Sequence, residues 1–410
     1  MSNAHIGVAV IGAGMAGRSH AAGYRSAGTL YDASLPDVRL VAIADLNERF
    51  AVETAGRFGY ARAETSWRAV AEADDVDVVS VVVANHLHRE VVEGLLAAGK
   101  HVLCEKPFAP TIADAEAMVA AARAAGHLQT GVGFTYRRSP AIAAIKERVD
   151  AGVMGRPLHF NGHYWCDYGA DPNGPMSWRY RGGPGSGALA DIGSHLVDLA
   201  EFLCGPIETI RGAALSTFFT ERALPLGEAV GHAAAALSEV REPVQNEDLV
   251  TFVATFVSGA TATLSASRVA LGLANSLGFE LFAEDAAATF DSMRAGEFSY
   301  LDTAVSGPTN GYRQVPVGPA HPYLNGGLPM DFPGVGYGQN DLFVFQARAF
   351  LDQVAGLDRL SRVPSFEHGL HNLRLLNAVT ESARTAGAQV EVHSRTQKPS
   401  AASRHHTKEY

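Results

Sequence analysis

Short apolar runs alternate with alanine-rich segments of helical spacing over residues 5–134. The apolar runs are Ile6–Ile11, Leu40–Ala44, Val76–Val83, His101–Cys104 and Thr130–Phe134, and the helical segments are Met15–Ala27, Glu48–Phe58, Leu87–Ala98 and Ala113–Ala125. Strands that are apolar on both faces and separated by helices build a parallel sheet covered on both sides. The pattern predicts a doubly wound α/β fold for a first domain, residues 1–150.

The pattern changes after about residue 155. Several later strands alternate apolar and polar residues: Leu158–Tyr164, Glu208–Ser216, Leu249–Phe256, Thr261–Arg268 and Phe279–Phe282. Their connections contain one regular helix, Ala190–Leu203, so we expect a large, mostly antiparallel open sheet in a second α/β domain, residues 151–392. We further predict helices at Gln339–Ala355 and Glu367–Ala386, irregular structure at 219–247 and 304–338, and a flexible tail at 393–410.

The charge and the cysteines restrict the class of protein. A formal net charge of −10 disfavours nucleic acid or an anionic membrane as the main partner. Three cysteines (Cys104, Cys166 and Cys204) form no CxxC pair and no even disulfide set, which favours a reducing compartment. Residues 1–5 show no signal-peptide pattern, and no run of about 18 apolar residues follows. We therefore expect a soluble, cytoplasmic protein.

A glycine-rich segment, Gly12-Ala13-Gly14-Met15-Ala16-Gly17, joins the first strand to the first helix. The first glycine permits a tight turn, the second lets a pyrophosphate approach the backbone, and the third lets the helix pack on the strand. An ordinary glycine turn is the alternative reading. The position between a strand and a helix of a doubly wound sheet favours a Rossmann dinucleotide site.

The second strand ends at Asp45, where a carboxylate can accept hydrogen bonds from the adenosine ribose. The distance from the glycines exceeds the usual ~20 residues because Gly28–Asp37 resembles an insertion. Leu46 follows without an immediate arginine for a 2′-phosphate, so NAD is favoured over NADP, although Arg49 is near. A helix-capping role for Asp45 is compatible with this prediction.

Asn85 follows the third strand and either hydrogen-bonds the nicotinamide ribose or caps the next helix. His86 and His88 lie two residues apart, so they cannot share a helix face as metal ligands. No metal site is expected.

Cys104-Glu105-Lys106-Pro107 places a lysine at the carboxyl end of a buried strand, where ligands collect in open α/β sheets. Asp191 and His195 lie four residues apart, on one face of a helix that follows a glycine-rich loop. Such a pair can be a metal site, a surface pair or an acid–base histidine beside a carboxylate. The absence of an HxxxH or HExxH pattern nearby disfavours a metal. Together with Lys106, the pair is interpreted as catalytic.

The glycine fingerprint, the Glu105-Lys106-Pro107 motif and the Asp191/His195 helix together resemble the glucose–fructose oxidoreductase / inositol dehydrogenase (Gfo/Idh/MocA) family over residues 5–392. The family has Thr-Pro before the asparagine where this chain has Val83-Ala84. The late segments Gly318–Tyr323 and Gly336–Gly338 resemble levoglucosan dehydrogenases, with inositol and related sugar dehydrogenases as alternatives.

The resemblance implies NAD-dependent oxidation of a secondary hydroxyl on a sugar, anhydrosugar or cyclitol by a homo-oligomer, a dimer or a tetramer. His195 matches the family's proton acceptor, Lys106 the lysine that binds the reacting oxygen, and Asp191 the carboxylate that positions substrate or histidine. Tyr136, Arg137, Trp178 and Arg179 fall where family members line the sugar pocket. The expected cofactor contacts are Gly12, Gly14, Met15, Ala16, Gly17, Asp45, Leu46, Ala84, Asn85, His88, Glu105 and Lys106.

Three alternatives remain from the sequence. The same site run in reverse would be an NADPH-dependent ketosugar reductase. Some relatives use NAD⁺ transiently to hydrolyse glycosides, and others are dinucleotide-binding sensors without catalysis. The presence of Lys106, Asp191 and His195 together disfavours a sensor.

Overall fold

The structure is a computed structural model that describes residues 5–32, 34–227, 236–305, 309–330, 332, 334–357 and 359–392. The predicted tail at 393–410 lies outside these residues. The chain forms two large sheets, one parallel and one mixed, each covered by helices.

The first sheet has six parallel strands in the order β3-β2-β1-β4-β5-β6. Its strands are β1 His5–Ile11, β2 Asp37–Ala44, β3 Arg62–Glu64, β4 Val78–Val81, β5 His101–Cys104 and β6 Thr130–Val132. The associated helices are α1 Met15–Ala27, α2 Glu48–Phe58, α3 Trp67–Glu72, α4 His88–Ala97 and α5 Ile112–Ala124. This is the predicted doubly wound Rossmann fold, with β3 and α3 as elements that the sequence pattern did not indicate.

Local signals explain where several helices begin. The side chain of Asn47 accepts a hydrogen bond from the main-chain N–H of Phe50 at the start of α2. Thr111 caps α5 in the same way. Short side-chain acceptors at these positions satisfy N–H groups that have no partner inside the helix. A further helix, α6 (Pro140–Asp150), starts with Ser139 as its cap and proline in its first turn, and it leads into the second sheet.

The second sheet has nine strands in the order β16-β15-β14-β13-β7-β12-β11-β8-β17, and all its pairs are antiparallel except β7 with β12. Its strands and those of a separate hairpin are β7 Pro157–Trp165, β8 Ile207–Ser216, β9 Glu221–Pro225, β10 Leu237–Pro243, β11 Leu249–Phe256, β12 Thr261–Ser267, β13 Ser276–Ala283, β14 Ala286–Asp291, β15 Glu297–Asp302, β16 Arg313–Pro316 and β17 Val390–Glu391. The helices of this half are α7 Ser194–Cys204, α8 Gln339–Ala355 and α9 Phe366–Arg384.

One face of the nine-stranded sheet is buried, as the alternation predicts. In β11, Val250, Phe252, Ala254 and Phe256 are buried, whereas the residues between them are more accessible. The inward face packs against α7 and α9. Two predictions of irregular structure were wrong in part: β9 and β10 pair within 219–247, and β16 lies within 304–338.

The inserted segment between α1 and β2 docks on the other half of the chain. Tyr31 donates its main-chain N–H to Gly326 (2.7 Å), and its ring lies under the guanidinium groups of Arg348 and Arg359. Arg348 is buried in α8, where its Nε donates to Asp352 (2.7 Å). Together with the packing of α1 along α8, these contacts fix the inserted segment against α8.

No helix within the described ranges is long and apolar enough to cross a membrane.

Candidate active site

The candidate site lies where the order of the parallel sheet reverses, between β1 and β4. The chain leaves β1 at the glycine fingerprint, β2 at Asp45, β4 near Ala84 and β5 at Glu105. Ligands of open α/β sheets bind outside the carboxyl ends of the strands at such a switch point. Four of the sequence-predicted segments therefore meet at one edge.

The glycine segment has the geometry of a dinucleotide cradle. Gly12 has φ 106°, and a Cβ there would lie 2.3 Å from the carbonyl oxygen of Val82. A Cβ on Gly14 would meet nothing within 4 Å, so the space above the turn is open. Open space at the N-terminus of α1, with its main-chain N–H groups, suits a pyrophosphate. Met15 is exposed and Ala16 half-buried beside this opening.

Asp45 links the glycine turn to the start of α2. Its Oδ2 accepts the main-chain N–H of Ala13 (2.7 Å), and its Oδ1 accepts that of Asn47 (2.9 Å). The carboxylate is therefore fixed beside the cradle, where an adenosine ribose would lie. Leu46 is 87% exposed. These residues fit a dinucleotide whose ribose carries free hydroxyls.

The segment after β4 contains three predicted cofactor contacts, and the side chain of one of them, His88, is buried. Asn85 starts a short 3₁₀ turn and, like Ala84, is half-buried at the sheet edge. The ring of His88 is buried, with its Nδ1 3.0 Å from the carbonyl oxygen of Phe108 and its Nε2 3.0 Å from that of Val83. Burial lowers the pKa of His88. The placement favours a role for His88 in bracing the loop.

Glu105 belongs to a buried polar chain beneath the site. Its Oε1 lies 2.9 Å from Nε2 of His20, and its Oε2 accepts the main-chain N–H of Lys106 (3.1 Å). Nδ1 of His20 continues to Ser80 Oγ (3.0 Å), which also meets Tyr24 Oη (2.9 Å). No sequence motif indicated a role for His20, because its partner Glu105 is 85 residues away in the chain. These hydrogen bonds fix the end of β5, which Lys106 follows.

Lys106 reaches across to the second half of the chain. Its Nζ donates to the main-chain oxygen of Asp191 (2.7 Å) and lies 3.4 Å from the Asp191 carboxylate. The other carboxylate oxygen of Asp191 accepts the hydroxyl of Tyr168 (2.7 Å) and lies 3.9 Å from Nε of Arg179. The sequence reading did not identify Tyr168. The lysine that follows β5 and the aspartate of the second half of the chain thus meet at one point.

The backbone around Asp191 is a π-helical turn, Leu189–Gly193, that continues into α7. His195 lies at the start of α7 and is 7% exposed. Its ring packs edge-on against Tyr136, with the ring centroids 5.1 Å apart. Its Nδ1 is buried and has no hydrogen-bond partner within the described part of the chain. Burial and the Lys106 charge hold the pKa of His195 well below its usual value, with Asp191 opposing.

The rings of Tyr136 and Tyr164 both lie beside His195, and their hydroxyls hydrogen-bond to each other. Tyr136 Oη lies 2.7 Å from Tyr164 Oη, and Tyr164 donates to the side-chain oxygen of Asn275 (2.8 Å). Burial raises the pKa of Tyr136 to about 12. The Tyr136 phenol therefore stays protonated near neutral pH, which leaves the neutral imidazole of His195 as the better proton acceptor. Tyr136 and Asn275 also line a small cavity together with Tyr337 and Gln339.

The remaining predicted substrate residues differ in placement. Arg137 makes a two-pronged ion pair with buried Asp198 (2.8 and 2.7 Å), which favours a packing role. Arg179 is nearer the centre of the site, beside Asp191, and its buried Nε has no hydrogen-bond partner among the described residues. Trp178 is 51% exposed and stacks with Arg179. Arg179 is therefore the better placed of the two arginines to meet a ligand.

A dinucleotide cradle, a lysine at a strand end and a buried neutral histidine define a nicotinamide-dependent oxidoreductase. Residues 6–134 match the oxidoreductase family with an NAD-binding Rossmann fold called GFO_IDH_MocA, and residues 142–289 match its GFO/IDH/MocA C-terminal domain. The chain belongs to the Gfo/Idh/MocA family of oxidoreductases, as the motifs predict.

One relative and one solved structure match this chain over nearly its full length, and a second relative matches part of it. Levoglucosan dehydrogenase from Pseudarthrobacter phenanthrenivorans is 36% identical over 391 residues, which cover 93% of this chain and 97% of that protein. A solved levoglucosan dehydrogenase in complex with NADH and levoglucosan matches with a TM-score of 0.85 and 33% identity, over 95% of this chain and 99% of that one. Inositol 2-dehydrogenase 4 from Saccharopolyspora erythraea is 34% identical over 158 residues, 38% of this chain and 45% of that protein.

Proposed function

We propose that this chain is an NAD⁺-dependent dehydrogenase that oxidises one secondary hydroxyl of a sugar, an anhydrosugar or a cyclitol to a ketone. The observation that carries the proposal is the meeting of Lys106 with Asp191, 2.7 Å from Nζ to the main-chain oxygen, one helical turn from His195. A cation, a carboxylate and a neutral imidazole then share one edge of a dinucleotide cradle.

Each group has a distinct part in the proposed reaction. NAD⁺, when bound, accepts the hydride that leaves the carbinol carbon. His195 accepts the hydroxyl proton, because its lowered pKa keeps the imidazole neutral. Lys106 lies where its charge can stabilise the developing alkoxide. Asp191 orients Lys106 and receives hydrogen bonds from substrate hydroxyls, alongside Tyr168.

An anhydrosugar of the levoglucosan type is the favoured substrate. The relative named levoglucosan dehydrogenase matches nearly full length, whereas the inositol dehydrogenase match covers 38% of this chain. Tyr337 lies in a segment similar to those enzymes, and it lines the cavity beside Tyr136.

The test of this function is NADH formation with a panel of levoglucosan, free pyranoses and cyclitols, each with NAD⁺ and NADP⁺ in parallel. We expect turnover with NAD⁺ and a preference for levoglucosan. Turnover limited to a ketosugar with NADPH would support the reductase instead, and release of a glycoside leaving group without net NADH would support the hydrolase.

The cofactor preference is expected to depend on Asp45. Replacing Asp45 with asparagine keeps one acceptor oxygen, for the N–H of either Ala13 or Asn47, and removes the charge beside the ribose. Since a hydrogen bond to a charged group is worth about 1.5–3 kcal/mol, kcat/KM for NAD⁺ should fall roughly 10- to 100-fold. The relative use of NADP⁺ should rise because a repulsive charge has gone. Asp37→Asn, at the exposed start of β2, is the matched control and should leave both values unchanged. An unchanged preference in Asp45→Asn would contradict this role.

The domain division and the assembly are also proposals. We place the dinucleotide domain at residues 1–150 and the substrate domain at 151–392, supported by a parallel sheet that ends at Val132 and a mixed sheet that begins at Pro157.

We propose a homo-oligomer formed through the open face of the mixed sheet, where Phe282 is 38% exposed and stacks with His159. Cys104, Cys166 and Cys204 are free thiols, which supports a reducing, cytoplasmic location.

A further inference from the structure

We infer that Glu247 is a positioning residue, which sets the π-helical turn that presents Asp191 and His195 to the substrate. The inference rests on the proposed function. Glu247 lies in the link between β10 and β11, outside every motif of the family resemblance. It is 2% exposed. A buried carboxylate must be compensated by hydrogen bonds, so its partners show what it holds.

The partners of the Glu247 side chain are main-chain N–H groups of a single segment. Oε1 accepts from Gly187 (3.0 Å) and from Leu189 (3.0 Å), and Oε2 accepts from Gly185 (2.8 Å). Its own carbonyl oxygen accepts the N–H of Ala188 (3.0 Å). These four hydrogen bonds, three to the carboxylate and one to the main-chain oxygen of Glu247, fix the path of residues 185–189, just before Asp191 and His195.

The segment that Glu247 contacts, residues 185–189, leads into the π-helical turn, because Leu189 is the first residue of that turn. The first N–H groups of a helix have no partner inside the helix, and an anion at that end is favoured by the helix dipole. A π turn contains one more residue per hydrogen bond than an α turn. Its start therefore decides the direction in which Asp191 and His195 project.

Close packing at Gly187 makes this contact specific. A Cβ on Gly187 would lie 2.2 Å from the carbonyl oxygen of Glu247 and 2.9 Å from its nitrogen. The chain can approach Glu247 this closely because residue 187 has no side chain. Lys106 contacts the same turn through the main-chain oxygen of Asp191.

The two neighbours of Glu247, Asn246 and Asp248, fix the backbone at Arg179. Asn246 donates its side-chain N–H₂ to the carbonyl oxygens of Arg179 (2.9 Å) and Arg181 (3.1 Å). Asp248 pairs with the buried Arg268 (2.9 Å), which also donates to the Arg179 carbonyl oxygen (3.0 Å). The three-residue segment 246–248 thus fixes the backbone at Arg179 as well as the turn with Asp191.

The test compares Glu247→Gln and Glu247→Ala with Glu242→Gln. Glu242 is a nearby acid on β10 that pairs with Arg181 at the surface, so it serves as the control. We expect kcat to fall roughly 10- to 100-fold in Glu247→Gln and further in Glu247→Ala, because Gln keeps one acceptor oxygen. The dissociation constant for NAD⁺ should stay unchanged, and the deuterium isotope effect on kcat should rise as hydride transfer becomes slower.

A purely structural role would lower the melting temperature and leave kcat of the folded enzyme intact, and that result would overturn the inference. A crystal structure of Glu247→Ala gives a readout independent of activity. We expect the 187–193 turn to lose its π register and Lys106 to lose its contact with the Asp191 oxygen. An unchanged turn would also overturn the inference. This readout needs no substrate, so it tests the role of Glu247 even if the wild-type protein is inactive on every sugar and the proposed function fails.

Discussion

Replacing Lys106 with methionine is expected to lower kcat about 10²- to 10³-fold, the cost of removing one preorganised group that stabilises an oxyanion. The ammonium group lies 3.4 Å from the Asp191 carboxylate, and methionine keeps the length of the chain without the charge. The glycine cradle and Asp45 do not depend on Lys106, so NAD⁺ affinity should fall far less than kcat. Steady-state turnover and NAD⁺ binding by fluorescence quenching measure the two quantities separately.

Lys146→Met is the matched control for this substitution. Lys146 lies on α6, where it pairs with Asp150 at the surface. Its replacement should leave kcat and NAD⁺ affinity as in the wild type. If Lys106→Met retained kcat near the wild-type value, the alkoxide-stabilising role of Lys106 would be wrong.

Replacing His195 with asparagine is expected to reduce turnover on the order of 10²- to 10⁴-fold, the usual contribution of a positioned acid–base group. Asparagine fits the buried space beside Tyr136 but cannot accept the proton. His368→Asn, on the exposed side of α9, should have no such effect. Full activity in His195→Asn would exclude the imidazole as the proton acceptor.

The pH profile gives a second check on His195. Burial and the Lys106 charge lower its pKa, so the imidazole stays neutral, and able to accept a proton, to below the ordinary value of about 6.5. In the wild type, kcat/KM should fall only as the pH drops through that lowered pKa. In His195→Asn this acidic limb should be absent. An acidic limb centred above the ordinary histidine value would contradict the assignment.

The sequence predicted those elements whose signals are local. The bounds of α1 and α8 agree with the structure because hydrophobic spacing and flanking glycines mark both ends of each helix. β11 agrees because its alternation reflects one buried face. The meeting of the glycine turn, Asp45 and Lys106 follows from parallel strands sharing one edge.

The unpredicted features depend on partners distant in the chain. The π-helical turn was predicted as ordinary helix, because its register is set by Glu247, about 60 residues later, and by Lys106, 85 residues earlier. The buried chain from Tyr24 through His20 to Glu105 likewise joins α1 to β5. Arg137 and Arg179 look equivalent in sequence, and they differ only through distant partners, Asp198 for Arg137 and Asp191 for Arg179. No local pattern encodes such contacts.

In the proposed reaction, this site moves a hydride from a sugar carbon to NAD⁺. The most direct measurement uses levoglucosan carrying deuterium on every carbon and follows the label by mass spectrometry of the reduced cofactor. We expect one deuterium per molecule of reduced NAD, with a ketone formed in equal amount. Unlabelled NADH, or NAD⁺ binding with no reduction by deuterated or ordinary levoglucosan, pyranoses and cyclitols, would contradict it.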